Sequence, residues 1–226
     1  MTEIYYLDRD LLVSVKPRGI LSEGEGNNCF PSLLQSALRE KGEKDPVYPV
    51  HRLDKETEGL MVYARTPSAA ASLSRAITEG SLKKQYLAVV CGEPKEKSGT
   101  LRDLLFYDRR LGKSFVVDRA RKGVKEAILD YETLATKEGY SLLRVTLHTG
   151  RTHQIRVQFA SRSLPLAGDR RYGAPPSPYF LGLSATRLSF PHPKDGKVLT
   201  FTYLPNSRAD ETRANPFELF AEELKN

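Results

Sequence analysis

Residues 49–64 read PVHRLDKETEGLMVYA, a polar loop followed by an apolar run. His51, Arg52 and Asp54 stand directly before this glycine-interrupted run, which ends at Ala64. The run predicts a buried strand, and charged groups at its mouth cost free energy unless they are paired or solvated. The stretch is therefore either a structural ion-pair cluster or a reactive site, and these residues alone favour neither interpretation.

Length and charge limit the possibilities further. A chain of 226 residues, 39% hydrophobic and 28% charged, can bury a substantial core without a disulfide or a metal. Its net charge of +7 and sequence pI near 9.3 favour a polyanionic partner such as nucleic acid. No segment is typical of a targeting signal or a membrane span. We expect one domain over residues 1–226, cytoplasmic, without a membrane, and monomeric by default.

Metal and cofactor signatures are absent from the sequence. Cys29 and Cys91 lack the spacing of a zinc site or a disulfide framework, so we interpret both as small buried residues in a reducing compartment. The four histidines form no HExxH motif. There is also no P-loop, no G-x-G-x-x-G after a strand and no G-x-S-x-G elbow. The sequence therefore predicts no metal, no nucleotide cofactor and no serine hydrolase.

Hydrophobic periodicity predicts more strands than helices. The predicted strands are Leu11–Val15, Lys83–Val90, Ala127–Leu134, Tyr140–Leu147, Leu181–Phe190 and Val198–Tyr203. The predicted helices are Pro31–Glu40, one capped by Thr66 and stopped by Gly80, a short one capped by Thr152, and Pro216–Leu224. Because the strand connections are mostly short, we predict an α+β fold with a mixed, largely antiparallel central sheet flanked by helices and loops.

A basic segment runs from residue 109 to residue 125. Its seven cations, which include Arg109, Arg110 and Lys113, are interrupted by one acid, Asp118. Such a run is either a solvated surface or a basic hairpin that follows a phosphate backbone. Both interpretations remain open, and the second makes this segment a candidate RNA clamp.

The 49–64 stretch resembles the signature of the RluA-type family of pseudouridine synthases. The resemblance rests on His51-Arg52-Leu53-Asp54 followed by Thr57, Gly59 and Leu60. Other stretches agree in the family's order: Lys16-Pro17-x-Gly19, Lys84 to Val89, Gly150 to Val157, Pro165 to Gly173 and Leu188 to Pro193. The similarity covers roughly residues 11–205. It implies the family's catalytic fold, with two subdomains around a central cleft and no room for an amino-terminal S4-like RNA-binding domain.

The resemblance also implies a reaction and a substrate. A uridine in a ribosomal or transfer RNA stem-loop is flipped out, its glycosidic bond is broken, and the uracil is reattached through C5. No cofactor is required. Flipping a base out of a stem costs a few kcal/mol. Alternatives are a non-catalytic RNA-binding or RNA-folding protein on the same scaffold, and a base-removing glycosylase; the stretch from Gly150 to Val157 argues for the synthase.

Residue roles follow from the resemblance, position by position. Asp54 matches the catalytic aspartate, Arg156 the arginine that pairs with it, and Tyr86 the active-site tyrosine whose ring stacks on uracil. Arg52 matches the side chain that replaces the flipped nucleotide, and Ile155 an apolar wall for the base. The remaining assignments are Arg151 and Gln154 as near-site substrate contacts and His51 and His153 as structural scaffolds.

Glu58 departs from the family pattern, which usually has a small serine at this position. It adds a second carboxylate beside the loop that carries Asp54. We expect its side chain to turn away from that loop.

Overall fold

The structure, a computed structural model, describes residues 3–24, 26, 29–43, 46–205 and 213–225. The chain divides into two compact units. Unit 1 contains Met1–Lys84 and Ala185–Pro205, and unit 2 contains Gln85–Ser184 and Asn206–Asn226. The assignment of residues 1–226 to a single catalytic domain stays a prediction. Within the described ranges, every helix is too short or too polar to cross a membrane.

Unit 1 is built on strands that form antiparallel pairs. Its elements are β1 (Ile4–Leu7), β2 (Leu11–Lys16), α1 (Phe30–Glu40), β3 (Tyr48–Pro49), β4 (Glu58–Ala64), α2 (Pro67–Thr78), most of β10 (Leu183–Pro191) and β11 (Val198–Thr202). The strand order is β1-β2-β4-β10, with β3 on β4 and β11 on β10. β2 and β4 pair from Leu11↔Ala64 to Lys16↔Gly59. All seven residues of β4 are buried, which explains the apolar run in its sequence.

The helix α2 follows its local sequence signals closely. The Thr66 hydroxyl accepts a hydrogen bond from the N–H of Ala69, Pro67 occupies the first turn, and the helix ends just before Gly80, at φ +70°. Its buried face packs into the unit 1 core. That core contains Leu11, Val13, Leu60, Val62, Leu73 and Leu188, among others.

Unit 2 is built on longer strands. Its elements are most of β5 (Lys83–Cys91), then β6 (Ser98–Asp108), β7 (Lys113–Val117), β8 (Val124–Lys137), β9 (Tyr140–Leu147) and α3 (Gln154–Ala160). The order is β5-β9-β8-β6-β7. Two short 3-10 helices, Arg170–Tyr172 and Pro216–Phe220, follow. The α+β class with largely antiparallel strands is confirmed.

Two cores stabilise unit 2. One buries Leu87, Val89 and Leu142 against Phe217 and Phe220 near the end of the chain. The other packs Leu105 of β6 and Ala127 of β8 against Val157 of α3 and Tyr172. The second core fixes α3 on one face of the β6–β8 pair.

Two helix predictions were wrong in detail. Thr152 does not cap α3: the preceding residue is His153 in the left-handed region (φ +55°), and the carbonyl of Thr152 accepts a hydrogen bond from the Ser114 hydroxyl. The predicted helix at Pro216–Leu224 is a five-residue 3-10 turn capped by Asn215, because Phe217 and Phe220 anchor it in the core.

Candidate functional site

In unit 1, Asp54 lies on the loop Val50–Thr57, between β3 and β4, which we call the 50–57 loop. Asp54 is half-buried and Arg52 is exposed. The N–H of Thr57 bonds to the carbonyl of Asp54 (3.0 Å) and closes a tight turn after it. His51 Nε2 accepts the N–H of Val62 (3.1 Å), which ties the loop to β4. This contact supports the structural role predicted for His51.

His51 is held neutral by its surroundings. Burial, together with the ammonium group of Lys84, holds the pKa of its imidazole well below its usual range. A neutral ring can accept the hydrogen bond from Val62, whereas a protonated ring cannot. His51 therefore remains an acceptor across the neutral pH range.

Lys16, at the end of β2, fastens the other side of the 50–57 loop. Its fully buried Nζ donates to the carbonyls of Pro17 (2.7 Å), Ile20 (2.8 Å) and Lys55 (3.2 Å). Burial lowers the pKa of this ammonium group to about 8. The neighbouring carboxylates that oppose the shift are Glu56, Asp54 and Glu58. The buried ammonium group of Lys16 thus binds the backbone of Lys55, the residue next to Asp54.

A second support comes from the loop that follows β2. The buried hydroxyl of Ser22 donates to the carbonyl of Leu53 (2.7 Å) and accepts from the N–H of Leu53 (3.2 Å). Next to it, Glu23 pairs with Arg52 at 2.7 Å, with both side chains about half exposed. The residues on either side of Leu53 are Arg52 and Asp54, so this loop holds the backbone between them.

Glu58 does not project into solvent. It is the first residue of β4, its side chain is buried, and its Oε1 has no hydrogen-bond partner within the described part of the chain. Burial raises the pKa of this carboxyl to about 7, although Arg18 and Lys16 favour its ionised form. Glu58 is thus a buried titratable group directly after the 50–57 loop, and the expectation that its side chain turns away from that loop stays a prediction.

In unit 2, α3 presents Arg156 in a fixed orientation. Arg156 is 7% exposed, and its Nε and Nη2 donate to the two carboxylate oxygens of buried Asp169 at 2.7 and 2.8 Å. Its guanidinium carbon lies 5.2 Å from the centre of the Tyr172 ring. A bidentate pair with an aromatic plane beneath it fixes both the position and the plane of the guanidinium. The pairing of Arg156 with Asp54 that the resemblance implies stays a prediction.

Tyr172 joins α3 to the basic segment. Its hydroxyl accepts the N–H of Ser114 (2.8 Å) and lies 2.9 Å from His153 Nδ1. Lys113 Nζ lies 5.0 Å from the ring centre. The contact supports a structural role for His153 and places β7 of the basic segment beside the arginine on α3.

The other residues predicted in unit 2 occupy different environments. Tyr86 on β5 and Ile155 on α3 are both 4% exposed. Gln154 is buried; its Oε1 accepts the N–H of Arg151 and the Thr149 hydroxyl, and its Nε2 donates to a backbone carbonyl. These bonds give Gln154 a structural role, and its contact with a substrate stays a prediction. Arg151 donates its Nε to the carbonyl of Glu126.

The basic segment consists of the turn between β6 and β7, the strand β7, and the connection to the start of β8. Arg109 and Arg110 are exposed in the turn between β6 and β7, and Lys113 is half-buried at the start of β7. Among the residues that the structure describes, none of the seven cations of this segment forms an ion pair with a carboxylate. Their charge is therefore directed towards solvent or a partner.

A cluster near the end of β1 offers possible metal ligands. Ligand atoms of Asp8, Asp10 and His192 lie within 4.8 Å of one another. The Asp8 carboxylate, however, already accepts the N–H groups of Asp10 and Leu11 and the Tyr6 hydroxyl, and contacts His192 Nε2 at 2.8 Å. We interpret this cluster as a hydrogen-bonded junction of the fold.

The sequence did not identify Asp169 as the partner of Arg156, or Ser22 as the partner of Leu53. Asp169 lies within the matched stretch from Pro165 to Gly173, which was a usable signal, although its partner Arg156 is thirteen residues away. Ser22 lies in a polar loop 31 residues before Leu53, and nothing in its local sequence indicates the contact.

Comparison with known proteins identifies the family of this chain. The family model described as RNA pseudouridylate synthase matches residues 10–161. The uncharacterised RNA pseudouridine synthase YlyB of Bacillus subtilis is 33% identical over 92% of this chain and 71% of its own length. Ribosomal large subunit pseudouridine synthase D of Nitrosomonas europaea is 34% identical over 92% of this chain and 63% of its own. This chain thus spans roughly two thirds of these relatives.

Solved structures support the same fold. Human RNA pseudouridylate synthase domain containing 4 aligns over 99% of this chain and 93% of its own, with a TM-score of 0.75 and 24% identity. Human RNA pseudouridylate synthase domain containing 1 gives a TM-score of 0.74 over 100% of this chain. The solved structures show the fold, and the sequence matches show the family. By these matches, the chain belongs to the RluA-type family of RNA pseudouridine synthases, which are isomerases.

Proposed function

We propose that this protein converts a uridine in structured RNA to pseudouridine, with Asp54 as the reacting carboxylate. The observation that carries the proposal is the construction of the 50–57 loop. Lys16 and Ser22 hold its backbone through hydrogen bonds to the carbonyls of Lys55 and Leu53, and Asp54 between them is half-buried. A carboxylate whose backbone is fixed in this way is suited to meet a reacting sugar in one defined orientation.

The reaction is an isomerisation, so the product has the same composition as the substrate. The bond between N1 of uracil and C1′ of ribose breaks, and a bond between C5 and C1′ forms. The C5 proton leaves, and N1 gains a proton. Ionised Asp54 acts at the sugar, either as a nucleophile or by stabilising positive charge there.

The remaining roles assist this step. The ring of Tyr86 stacks on the uracil. Its phenol is a candidate for proton transfer at the sugar or at C5. Ile155 forms an apolar wall for the base, and Arg156 supplies a positive charge that Asp169 and Tyr172 hold in place. Arg52 enters the stem where the flipped nucleotide was. Its partner Glu23 is exposed, so the pair can open at little cost.

RNA is captured by the basic segment in this proposal. Its exposed cations, unpaired within the described residues, are available to phosphates, which position RNA without reading its sequence. The name of the Nitrosomonas relative makes large-subunit ribosomal RNA the first substrate to test, and transfer RNA is the second.

Total RNA transcribed in vitro tests the proposal directly. After incubation and digestion to nucleosides, liquid chromatography with mass spectrometry separates pseudouridine from its isomer uridine, which has the same mass, and detects released uracil. Pseudouridine formation supports the proposal; released uracil would identify a glycosylase, and RNA binding without either product would identify a non-catalytic binding protein. Asp54→Asn should abolish product while RNA binding persists. Pseudouridine formed by this variant would refute the role of Asp54.

Two further variants test the supporting residues. Arg156→Lys keeps the charge but loses the bidentate bond to Asp169, so kcat should fall strongly while RNA affinity changes little. Replacing Arg109, Arg110 and Lys113 by Glu should weaken RNA binding and flatten its dependence on salt. An unchanged salt slope would remove the basic segment from the RNA interface.

A further inference from the structure

The β6–β7–β8 ladder has an outer face, opposite the face that packs on α3. Leu105 and Ala127 point towards Val157 on the inner face. Because neighbouring residues on a strand point to opposite faces, Phe106 lies on the outer face, directly across from Phe115. Phe115 is 36% exposed and Phe106 is half-buried. Two phenylalanines therefore lie side by side on a surface of this ladder.

Cations adjoin both aromatic rings. The guanidinium carbon of Arg121 lies 5.1 Å from the centre of the Phe106 ring, and Lys113 Nζ lies 5.7 Å from that of Phe115. Arg121 is exposed and, like the rest of the basic segment, has no carboxylate partner among the described residues. The face therefore places apolar ring surface beside cations that form no ion pair with a carboxylate of the described residues.

We propose that this outer face, centred on Phe106 and Phe115, is a stacking platform for an unpaired base of an RNA partner. The inference rests on the proposed function. It specifies the kind of nucleotide, an unpaired one, that the basic segment binds. Aromatic rings bind the faces of bases of any sequence, and adjacent cations bind the phosphates. Paired bases are stacked within their own helix, so the platform selects nucleotides in loops, bulges or single strands.

The absence of tryptophan from the chain makes a direct test possible. Phe115→Trp places a single tryptophan on the platform and keeps an aromatic ring there. A short oligoadenylate should quench its emission, and a fully paired RNA duplex of equal length should not. Val198→Trp, at a 66% exposed position on β11, is the control and should respond to neither RNA.

Affinity provides the second measurement. Phe115→Leu should weaken oligoadenylate binding by roughly fivefold or more, because stacking on an aromatic side chain contributes substantially to each bound base. Phe115→Trp should bind at least as tightly as the wild type. Unchanged tryptophan emission from Phe115→Trp, together with wild-type affinity of Phe115→Leu, would overturn the platform. An emission change caused by raised protein concentration alone would also overturn it, since the face would then bind a second copy of the chain.

The outcome is independent of the test for the reaction. If total RNA acquires pseudouridine but the platform does not respond to oligoadenylate, the platform is wrong and the proposed function stands. If oligoadenylate quenches the tryptophan of the Phe115→Trp variant but no pseudouridine forms, the proposed function fails and the platform stands.

Discussion

One hydroxyl group, that of Ser22, satisfies both backbone polar groups of Leu53. It donates to the carbonyl at 2.7 Å and accepts from the N–H at 3.2 Å, and both residues are buried. Leu53 separates Arg52 from Asp54. The orientation of two proposed active-site residues therefore depends on a serine outside the 50–57 loop.

Ser22→Ala should lower kcat about tenfold and change KM little. The substitution leaves the buried N–H and carbonyl of Leu53 without a partner, which costs about 1–3 kcal/mol and loosens the backbone beside Asp54. Steady-state pseudouridine formation, measured well below the melting temperature, checks this. Ser141→Ala is a matched control, because it removes a buried hydroxyl that bonds to the carbonyl of Gly92 at 2.8 Å. An equal loss of kcat in both variants would mean that Ser22 acts through stability alone.

Glu23→Gln should strengthen RNA binding by up to roughly fivefold without changing the melting temperature. The exposed ion pair with Arg52 contributes little to stability, but the carboxylate competes with RNA for the guanidinium. Filter binding and thermal melting measure the two quantities. Glu132→Gln disrupts a pair of similar exposure and the same 2.7 Å length with Arg144, and should leave affinity unchanged. If Glu23→Gln weakens binding, Glu23 does not restrain Arg52.

The elements predicted well from sequence are those whose signals are local. Thr66, Pro67 and Gly80 define α2 within a few residues of its ends. The turn at Lys137-Glu138-Gly139 is also local, with Glu138 and Gly139 at φ +53° and +77°. The Thr152 cap failed because tertiary contacts determine that turn: its carbonyl binds Ser114, on a strand 38 residues earlier in the chain.

The same distinction applies to the site. Residues 49–64 were recognisable because the loop and the strand are contiguous. The burial of Glu58 was not recognisable from the sequence, because an acidic residue at the start of a strand is usually solvated. In the structure, the positive charges of Lys16 and Arg18 lie beside it. Ser22 binds Leu53, and Asp169 binds Arg156, from distant positions in the chain, and a single sequence contains no measure of such distances.

Glu58→Gln should change how stability depends on pH. The folded-state pKa of Glu58, about 7, lies above the ordinary value of 4.5, so ionisation costs more in the folded state. This penalty is absent below pH 4.5, grows between pH 4.5 and 7, and is complete above pH 7. The variant should therefore gain stability relative to the wild type as the pH rises, by at most about 3 kcal/mol at pH 8.

Urea unfolding at a series of pH values measures this difference. Glu93→Gln, which removes one carboxyl at an exposed position of unit 2, should follow the wild-type dependence. Parallel curves for Glu58→Gln and the wild type between pH 4.5 and about 8 would show that Glu58 does not titrate in this range.

Gly59→Ala should prevent folding of unit 1 or destabilise it by more than about 3 kcal/mol. Gly59 follows Glu58 at the start of β4, with φ at +126°, and an added Cβ would lie 2.3 Å from the carbonyl oxygen of Ala185 on β10. Backbone atoms of a buried strand cannot move aside as a flexible side chain can. Soluble yield and urea unfolding check the expectation. Gly80→Ala is the control, since φ there is +70° but no atom lies within 4 Å, and it should cost about 1 kcal/mol. If both variants lose the same stability, the close approach of β10 to Gly59 does not limit that position.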